Sequence, residues 1–349
     1  MKKTRLLVAG AAFLALGAYY VGMGQVEQRR LATPLANANA PHRDAPDIDQ
    51  AMLLDDLRAL ASAEFAGRKT GSEGSRKAQA YLLDRFEASG LTPYGKSYAQ
   101  PFAFSHTSIK GLLKPGGSFR TAYPAAVNLV GFVRGTRTPD KVMVISAHYD
   151  HLGVRDGQTY FGADDNASGV AALLAIANWF RTHPPLHTIV FAAFDGEEMG
   201  SEGAKAFMAA LPFPQAQLAM NLNLDMLAHN DKDEIFVAGT RFSPELVPLV
   251  EQAARRSMLK VKLGHDRSQL TAGSVEDWTH SSDHGPFHDA GVAFLYVGVE
   301  DHADYHAPTD TVEHSNKPFY GKVASLVVDM AMTLDRNLDE VGPAKAQLK

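Results

Sequence analysis

The hydrophobic positions of residues 128–336 alternate between short apolar runs and longer runs with helical spacing. The short runs predict buried strands, because strands covered on both faces of a sheet read as nearly continuous apolar stretches. They are Leu129–Val133, Val142–Ala147, Thr188–Phe194, Met220–Leu224, Glu234–Val237 and Val292–Val297. The longer runs predict helices at Ser168–Arg181, Gly203–Ala210, Pro244–Met258 and Lys317–Arg336. This alternation predicts an α/β fold, a three-layer α/β/α sandwich with a mostly parallel mixed sheet in a single domain.

Two amphipathic helices are predicted before the first strand. One begins near Asp47, and the other covers Ser75–Ser89 with Gly90 as its C-cap. Residues 25–47 are polar, without periodicity, and predict a flexible tether. The folded domain is therefore expected over residues 48–338, followed by a C-terminal tail at 339–349.

The N-terminus carries a targeting pattern. Lys2, Lys3 and Arg5 precede an apolar run from Leu6 to Met23, which predicts an export signal or an N-terminal membrane anchor over residues 1–24. The run is near the lower length limit for spanning a bilayer. We expect an exported protein of the bacterial periplasm or cell envelope, either released by cleavage or anchored to the inner membrane.

Charge and cysteine content exclude several classes of function. The 349-residue chain has a formal net charge of −5, although residues 1–30 hold five basic residues and one acidic residue. The remainder of the chain is therefore more acidic than the chain as a whole. This charge argues against nucleic acid or anionic lipid as a partner of the folded part. The chain has no cysteine, which excludes thiol nucleophiles, thiolate zinc sites and disulfides.

Acidic and imidazole side chains lie at the ends of the apolar strands or in glycine-rich turns beside them. Five of them are candidate metal ligands: His148, Asp164, Glu198, Asp225 and His306. Imidazole and carboxylate ligands without thiolate suit zinc or a similar divalent ion at a hydrolytic site. A single tetrahedral zinc needs about three or four protein ligands. A carboxylate that bridges two ions explains the surplus, so the sequence predicts two zinc ions per chain.

The residues after His148 are interpreted by strand alternation. His148 and Asp150 would share one face, so Asp150 is expected either to support His148 or to approach the metals directly. His151 would point away, and it is predicted to be a packing or surface residue.

Two turns contain adjacent acidic residues with different predicted roles. Asp164 is expected on the metal, while Asp165 or Asn166 caps the helix that follows. Glu198 is expected to coordinate, and Glu197 to take a proton from metal-bound water.

Five motifs in order resemble those of the co-catalytic zinc exopeptidases. They are His148-Tyr-Asp150, Gly162-Ala-Asp-Asp165, Gly196-Glu-Glu198, Asn223-Leu-Asp225 and Tyr305-His-Ala-Pro-Thr-Asp310. The likeness also covers Phe65-Ala-Gly-Arg68 and Ser282-Asp-His-Gly-Pro-Phe287, and so spans roughly residues 50–338. That family includes bacterial leucyl aminopeptidases, aminopeptidase Y, glutamate carboxypeptidase and, more distantly, glutaminyl cyclases.

The resemblance implies a role for each matching residue. It implies one zinc between His148, Asp164 and Asp225. The second zinc lies between Asp164, Glu198 and His306, with Asp164 bridging. It also implies that Glu197 is the general base, that Asp150 orients His148, and that Tyr305 donates a hydrogen bond to the oxyanion. A cis peptide bond is expected at Asp164–Asp165.

The function expected from these residues is that of a zinc aminopeptidase, which hydrolyses N-terminal residues from peptides through a metal-bridging water activated by Glu197. The preference over a carboxypeptidase rests on the resemblance alone, and a glutaminyl cyclase of the same fold is a further alternative. A non-enzymatic receptor-type domain is opposed by the complete ligand set. The segment Gly90–Ser97 matches a phosphate-binding loop literally, but the required strand before it and helix after it are not predicted.

Overall fold

The computed structural model describes residues 25–26, 28–31, 33–35, 45–109, 118–267 and 275–342. The predicted export segment at 1–24 and residues 343–349 of the predicted tail lie outside the described residues. None of the described helices is both long and apolar enough to cross a bilayer.

Eleven strands are present among the described residues, and they are numbered in chain order. Their bounds are β1 Thr92–Pro93, β2 Ala99–Ile109, β3 Ser118–Val133, β4 Thr138–His148, β5 Gly153–Arg155, β6 Gln158–Tyr160, β7 His187–Phe194, β8 Leu218–Leu224, β9 Glu234–Ala238, β10 Lys260–Leu263 and β11 Ala293–Gly298. All except β5 and β6, which form a small hairpin, belong to one nine-stranded sheet.

The sheet is parallel in its centre and mixed at its sides. The order is β1-β3-β7-β4-β8-β11-β9-β10, with β2 paired to β3. Strands β7, β4, β8 and β11 run parallel to one another, whereas β3 and β9 are antiparallel to their neighbours β7 and β11. The four central strands therefore end at the same edge, which is where ligands bind in open α/β sheets.

Helices cover both faces of the sheet. Their bounds are α1 Gln50–Leu60, α2 Glu73–Ala88, α3 Gly169–Thr182, α4 Glu202–Ala209, α5 Val247–Arg256, α6 Gly285–Asp289 and α7 Lys317–Arg336. Contacts link α1, α2, α3, α5 and α7 in one layer, and α4 contacts α6 on the other side. This arrangement confirms the predicted three-layer α/β/α fold.

The side chains of the central strands β4 and β7 point alternately into two hydrophobic cores on opposite faces of the sheet. Ile145 of β4 and Phe191 of β7 are buried under the larger helical layer, while Val144 and Val190 are buried with Phe207 and Phe287 of the smaller one. Because both faces are covered, these strands are apolar at almost every position, which is the pattern that predicted them.

The main difference from the sequence-based expectation lies before residue 129. Strands β2 and β3 form a long antiparallel ribbon that was predicted only at its end, Leu129–Val133. About half of the described side chains at residues 99–107 and 120–126 face solvent, so the ribbon lacks a continuous apolar run. Gly90–Ser97 lies between α2 and β2, without the strand and helix that a phosphate-binding loop requires.

Part of the predicted tether contacts the domain. Residues 28–31 are helical, and Arg30 forms a 2.9 Å ion pair with the buried Asp266. The backbone N–H of Leu35 donates to the carbonyl of Val261 on β10.

Candidate metal centre

The four central strands deliver the candidate residues to one edge of the sheet. Strand β4 ends at His148, β8 is followed directly by Asp225, and β7 is followed by the turn that holds Glu197 and Glu198. His306 lies in the loop after β11. Parallel pairing of these strands places their carboxyl ends side by side, which brings together residues far apart in sequence.

Two groups of side chains meet at Asp165. In the first, His148 Nε2 lies 3.3 Å from Asp165 Oδ1 and 3.3 Å from Asp225 Oδ1. In the second, His306 Nε2 lies 3.1 Å from Asp165 Oδ2 and 3.3 Å from Glu198 Oε2. Asp165 thus presents one oxygen to each group, as a bridging carboxylate does. We call the five residues His148, Asp165, Glu198, Asp225 and His306 the catalytic cluster.

Asp164 was predicted to be a metal ligand, but the structure places its carboxylate outside both groups. Its carboxylate accepts hydrogen bonds from the backbone N–H of Ala228 at 2.6 Å and from the Ser168 hydroxyl at 3.2 Å. His302 Nε2 lies 3.0 Å from its other oxygen. The turn therefore directs Asp164 toward the protein interior behind the cluster, and Asp165 takes the position that the sequence analysis gave to Asp164.

The turn that carries Asp165 is fixed from several sides. Gly162 has φ +61°, and a Cβ there would lie 2.2 Å from the carbonyl oxygen of Asp165. Asp310 accepts hydrogen bonds from the backbone N–H groups of Asp164 and Asp165 at 2.8 and 3.0 Å. Asn166 is the helix-capping residue, since its Oδ1 accepts from the N–H of Gly169 at 2.9 Å. The cis peptide bond expected at Asp164–Asp165 lies one bond later, at Asp165–Asn166.

His151 is a member of the site that sequence reasoning missed. It is buried, as a packing residue would be, but its Nδ1 lies 2.7 Å from Glu198 Oε1 and 3.5 Å from Asp165 Oδ2. The alternation argument failed because β4 ends at His148, so the two-residue period of a strand does not extend to His151.

Asp150 connects the end of β4 to the turn after β7. Its backbone carbonyl accepts from His148 Nδ1 at 3.1 Å, whereas its carboxylate is 3.8 Å from that nitrogen. The carboxylate instead accepts from the backbone N–H groups of Glu197 at 3.0 Å and Glu198 at 3.4 Å. Asp150 therefore positions His148 through the main chain and both glutamates through its side chain.

Electrostatics distinguish the carboxylates. Burial, reinforced by Asp283 and Asp225, raises the pKa of Glu197 well above its usual range, although His148 opposes the shift. Burial would also raise the pKa of Asp165, but the surrounding imidazoles outweigh it and hold that pKa well below the ordinary value. Asp165 is thus kept ionised, while Glu197 has a higher proton affinity than an ordinary glutamate.

The residues present fit zinc. Asp165, Glu198 and Asp225 are nearly buried, and a buried carboxylate is costly unless it is paired or bound to a metal. Within the described residues Glu198 Oε1 has no hydrogen-bond partner, although His151 Nδ1 is nearby. Imidazoles and carboxylates arranged in two groups around a shared Asp165 are the donor set of a hydrolytic zinc site.

A cleft opens over the catalytic cluster. Besides the cluster it is lined by Glu197, Tyr305, Trp278, Glu276 and Asp301. Trp278 lies in the segment His265–Thr279, of which residues 268–274 lie outside the described residues. Glu276 and Asp301 carried no sequence signal, because single acidic residues in loops are ordinary surface residues.

The fold and the site are those of a metallohydrolase, with carboxylates and imidazoles at the strand ends that suit a divalent metal. Comparison with family models then identifies the class further: residues 128–331 match Peptidase family M28. This match covers more than half of the chain, so the protein belongs to peptidase family M28 and is a zinc-dependent peptidase acting on peptides.

Curated relatives agree with this assignment. A probable zinc metalloprotease of Pyrenophora tritici-repentis is 25% identical over 328 residues, covering 80% of this chain and 71% of the relative. Aminopeptidase YwaD of Bacillus subtilis is 29% identical over 211 residues, covering 57% of this chain and 43% of the relative. The matched part therefore spans less than half the length of YwaD.

Solved structures share the fold. The zinc aminopeptidase BSAP of Bacillus subtilis superposes with a TM-score of 0.63 at 17% identity, covering 83% of this chain and 95% of that one. A glutaminyl cyclase of Bacteroides thetaiotaomicron superposes with a TM-score of 0.59 at 17% identity, covering 82% and 98%. Both peptidases and cyclases are thus built on this architecture.

Proposed function

We propose that this protein is an aminopeptidase that binds two zinc ions per chain and releases N-terminal residues from peptides with a free amino group. The observation that carries the proposal is the charge of the cleft. Among the described residues that line it, six are Asp or Glu and none is Lys or Arg. Three of the six would be offset by bound zinc, and the acidic residues left outside the cluster favour the cationic amino terminus of a peptide over its anionic carboxyl terminus.

Two of these acidic residues are available to recognise an amine. Glu276 and Asp301 lie in the cleft but outside the catalytic cluster. Burial, together with the charge of Glu276, raises the pKa of Asp301, which indicates that the two carboxylates repel each other across the cleft. An ammonium group placed between them would relieve this repulsion.

In this proposal His148 and Asp225 would hold one zinc ion and Glu198 and His306 the other, with Asp165 as a ligand common to both. Zinc held there would supply a Lewis acid and lower the pKa of water. Glu197 takes the proton of the attacking water and returns it to the leaving amine.

Tyr305 lies where its hydroxyl can stabilise the tetrahedral intermediate. Its ring stacks on His306 with 4.0 Å between centroids, and it lines the cleft. Burial and the surrounding carboxylates, with Asp165 first, raise the pKa of Tyr305. The phenol therefore stays protonated and can donate a hydrogen bond to the developing oxyanion.

A panel of amino-acid anilides tests the function. Free-amine anilides should be cleaved, N-acetylated anilides should not, and a chelator should abolish cleavage until zinc is added back. Release of C-terminal residues from N-acetylated peptides would instead identify a carboxypeptidase. A peptide beginning with Gln distinguishes an aminopeptidase from a cyclase. A cyclase releases ammonia and leaves the peptide full length, whereas an aminopeptidase liberates free Gln.

We further propose that residues 1–24 direct export to the bacterial cell envelope, where they are cleaved or remain as an anchor. The support is the basic start followed by the apolar run from Leu6 to Met23. Cell fractionation with N-terminal sequencing tests this. Recovery in the cytosol with residues 1–24 intact would contradict export.

A further inference from the structure

A second group of metal-binding side chains lies behind the turn that holds Asp165. It consists of His229, after β8, and of His302 and Asp304, between β11 and His306, and we call it the His229 group. One ligand atom from each residue lies within 4.8 Å of the others. The group shares no ligand with the catalytic cluster, and its residues are only half-buried.

His302 is oriented as a metal ligand is. Its side chain is 10% exposed, and its Nε2 lies 3.0 Å from Asp164 Oδ2. A neutral imidazole carries one N–H and one lone pair, so donation from Nε2 to Asp164 leaves the lone pair on Nδ1. Within the described residues Nδ1 is buried without a hydrogen-bond partner. Ligating histidines commonly use their other nitrogen in this way, toward a carboxylate.

The other two residues complete a set of nitrogen and oxygen donors. The rings of His229 and His302 lie 3.7 Å apart between centroids, with their planes tilted by 35°. His229 Nδ1 lies 3.8 Å from Asp304 Oδ2. The same oxygen is 3.2 Å from Nδ1 of the exposed His314, a fourth donor within reach. Two imidazoles at this distance are unfavourable when both rings are charged, whereas shared coordination requires both to be neutral.

We propose that His229, His302 and Asp304 bind a divalent transition-metal ion that is separate from those of the catalytic cluster. Two imidazoles and one carboxylate suit Zn²⁺, Co²⁺ or Ni²⁺ and not Mg²⁺ or Ca²⁺, which prefer oxygen ligands. The ion links the loop after β8 to the loop of His302, and His302 in turn contacts the turn of Asp164 through Nε2. It therefore stabilises the segments that carry His306 and Asp165.

Counting metal ions in matched variants tests the proposal. The full chain is stripped with a chelator, dialysed, titrated with Zn²⁺ by calorimetry, and analysed for zinc per chain. His229→Gln should lose about one ion relative to the wild type. The matched control is His280→Gln, since His280 is an exposed histidine paired with Asp289 at 2.9 Å, and it should keep the wild-type count.

A variant of the catalytic cluster distinguishes metal binding at the His229 group from metal binding at the cluster. Asp225→Asn removes a ligand of one ion of the cluster, and adding His229→Gln or Asp304→Asn to it should lower the zinc count by about one further ion. The visible absorption of bound Co²⁺ should likewise be weaker in the double variant than in Asp225→Asn. Circular dichroism of the metal-free proteins establishes that each variant is folded, and Asp304→Asn replaces His229→Gln if the latter is not. Equal zinc counts in wild type and folded variants of the His229 group would overturn the proposal.

Discussion

The assignment of Glu197 as the general base makes a quantitative prediction for Glu197→Gln. The substitution preserves the shape of the side chain and the backbone N–H that donates to Asp150 at 3.0 Å. It removes only the basic oxygen. General-base catalysis contributes about 10²–10⁴-fold, so turnover should fall by that factor. With about 1.36 kcal/mol per tenfold change, the activation barrier rises by about 2.7–5.4 kcal/mol.

Stability should not fall with activity. Burial raises the pKa of Glu197, which means that the folded protein disfavours its charged form. A neutral Gln removes that cost, so at neutral pH the variant should unfold at the same temperature as the wild type or higher. A loss of turnover without a loss of stability separates a chemical role from a structural one.

The assay is steady-state hydrolysis of a free-amine anilide across a pH series, with zinc measured on the same samples. Wild-type activity should fall on the acidic side as Glu197 becomes protonated, and Glu197→Gln should lose that limb of the profile. The matched control is Glu202→Gln on α4. The Glu202 carboxylate is not part of the cluster and pairs with Lys205 at a distance of 3.1 Å. If Glu197→Gln retained its zinc and stayed within tenfold of wild-type turnover, Glu197 would not be the base.

Three further predictions follow from other contacts. Asp165→Asn should weaken binding of the zinc that supports activity far more than Asp164→Asn, because only Asp165 lies within 3.3 Å of both His148 and His306; dialysis against a weak chelator with zinc analysis measures this. Arg68→Met should cost at least about 3 kcal/mol of unfolding free energy in urea, since the buried guanidinium donates to four backbone carbonyls that Met would leave unpaired. Burial lowers the pKa of His284 to about 3, so the folded state binds fewer protons there than the unfolded state between pH 3 and about 6.5. Stability should therefore fall with acidification by up to about 1.4 kcal/mol per pH unit, and less steeply in His284→Gln.

Each of these has a result that contradicts it. Equal zinc retention in the two aspartate variants would restore Asp164 as a candidate ligand. An Arg68→Met protein as stable as the exposed control Arg155→Met would mean that the carbonyls find other donors. Parallel pH profiles for wild type and His284→Gln would show that this imidazole does not titrate with unfolding.

The sequence by itself determined the layered α/β fold and the neighbourhood of the site. Nearly continuous apolar runs were sufficient to place β4, β7, β8 and β11, because strands buried on both faces have few polar positions. Since parallel strands end at one edge, the residues after them had to meet there. His148, Glu198, Asp225 and His306 are therefore found together, as that reasoning expects.

Only the tertiary structure decided between neighbouring side chains. Asp164 and Asp165 are chemically identical and adjacent, and the choice between them depends on Asp310, Ala228 and His302, which arrive from distant parts of the chain. His151 joined the site for the same reason, because the path of the chain after a strand ends is set by its contacts and not by a period. Local pattern fixes which elements form, whereas the direction of a side chain in a turn depends on hydrogen bonds that the fold supplies.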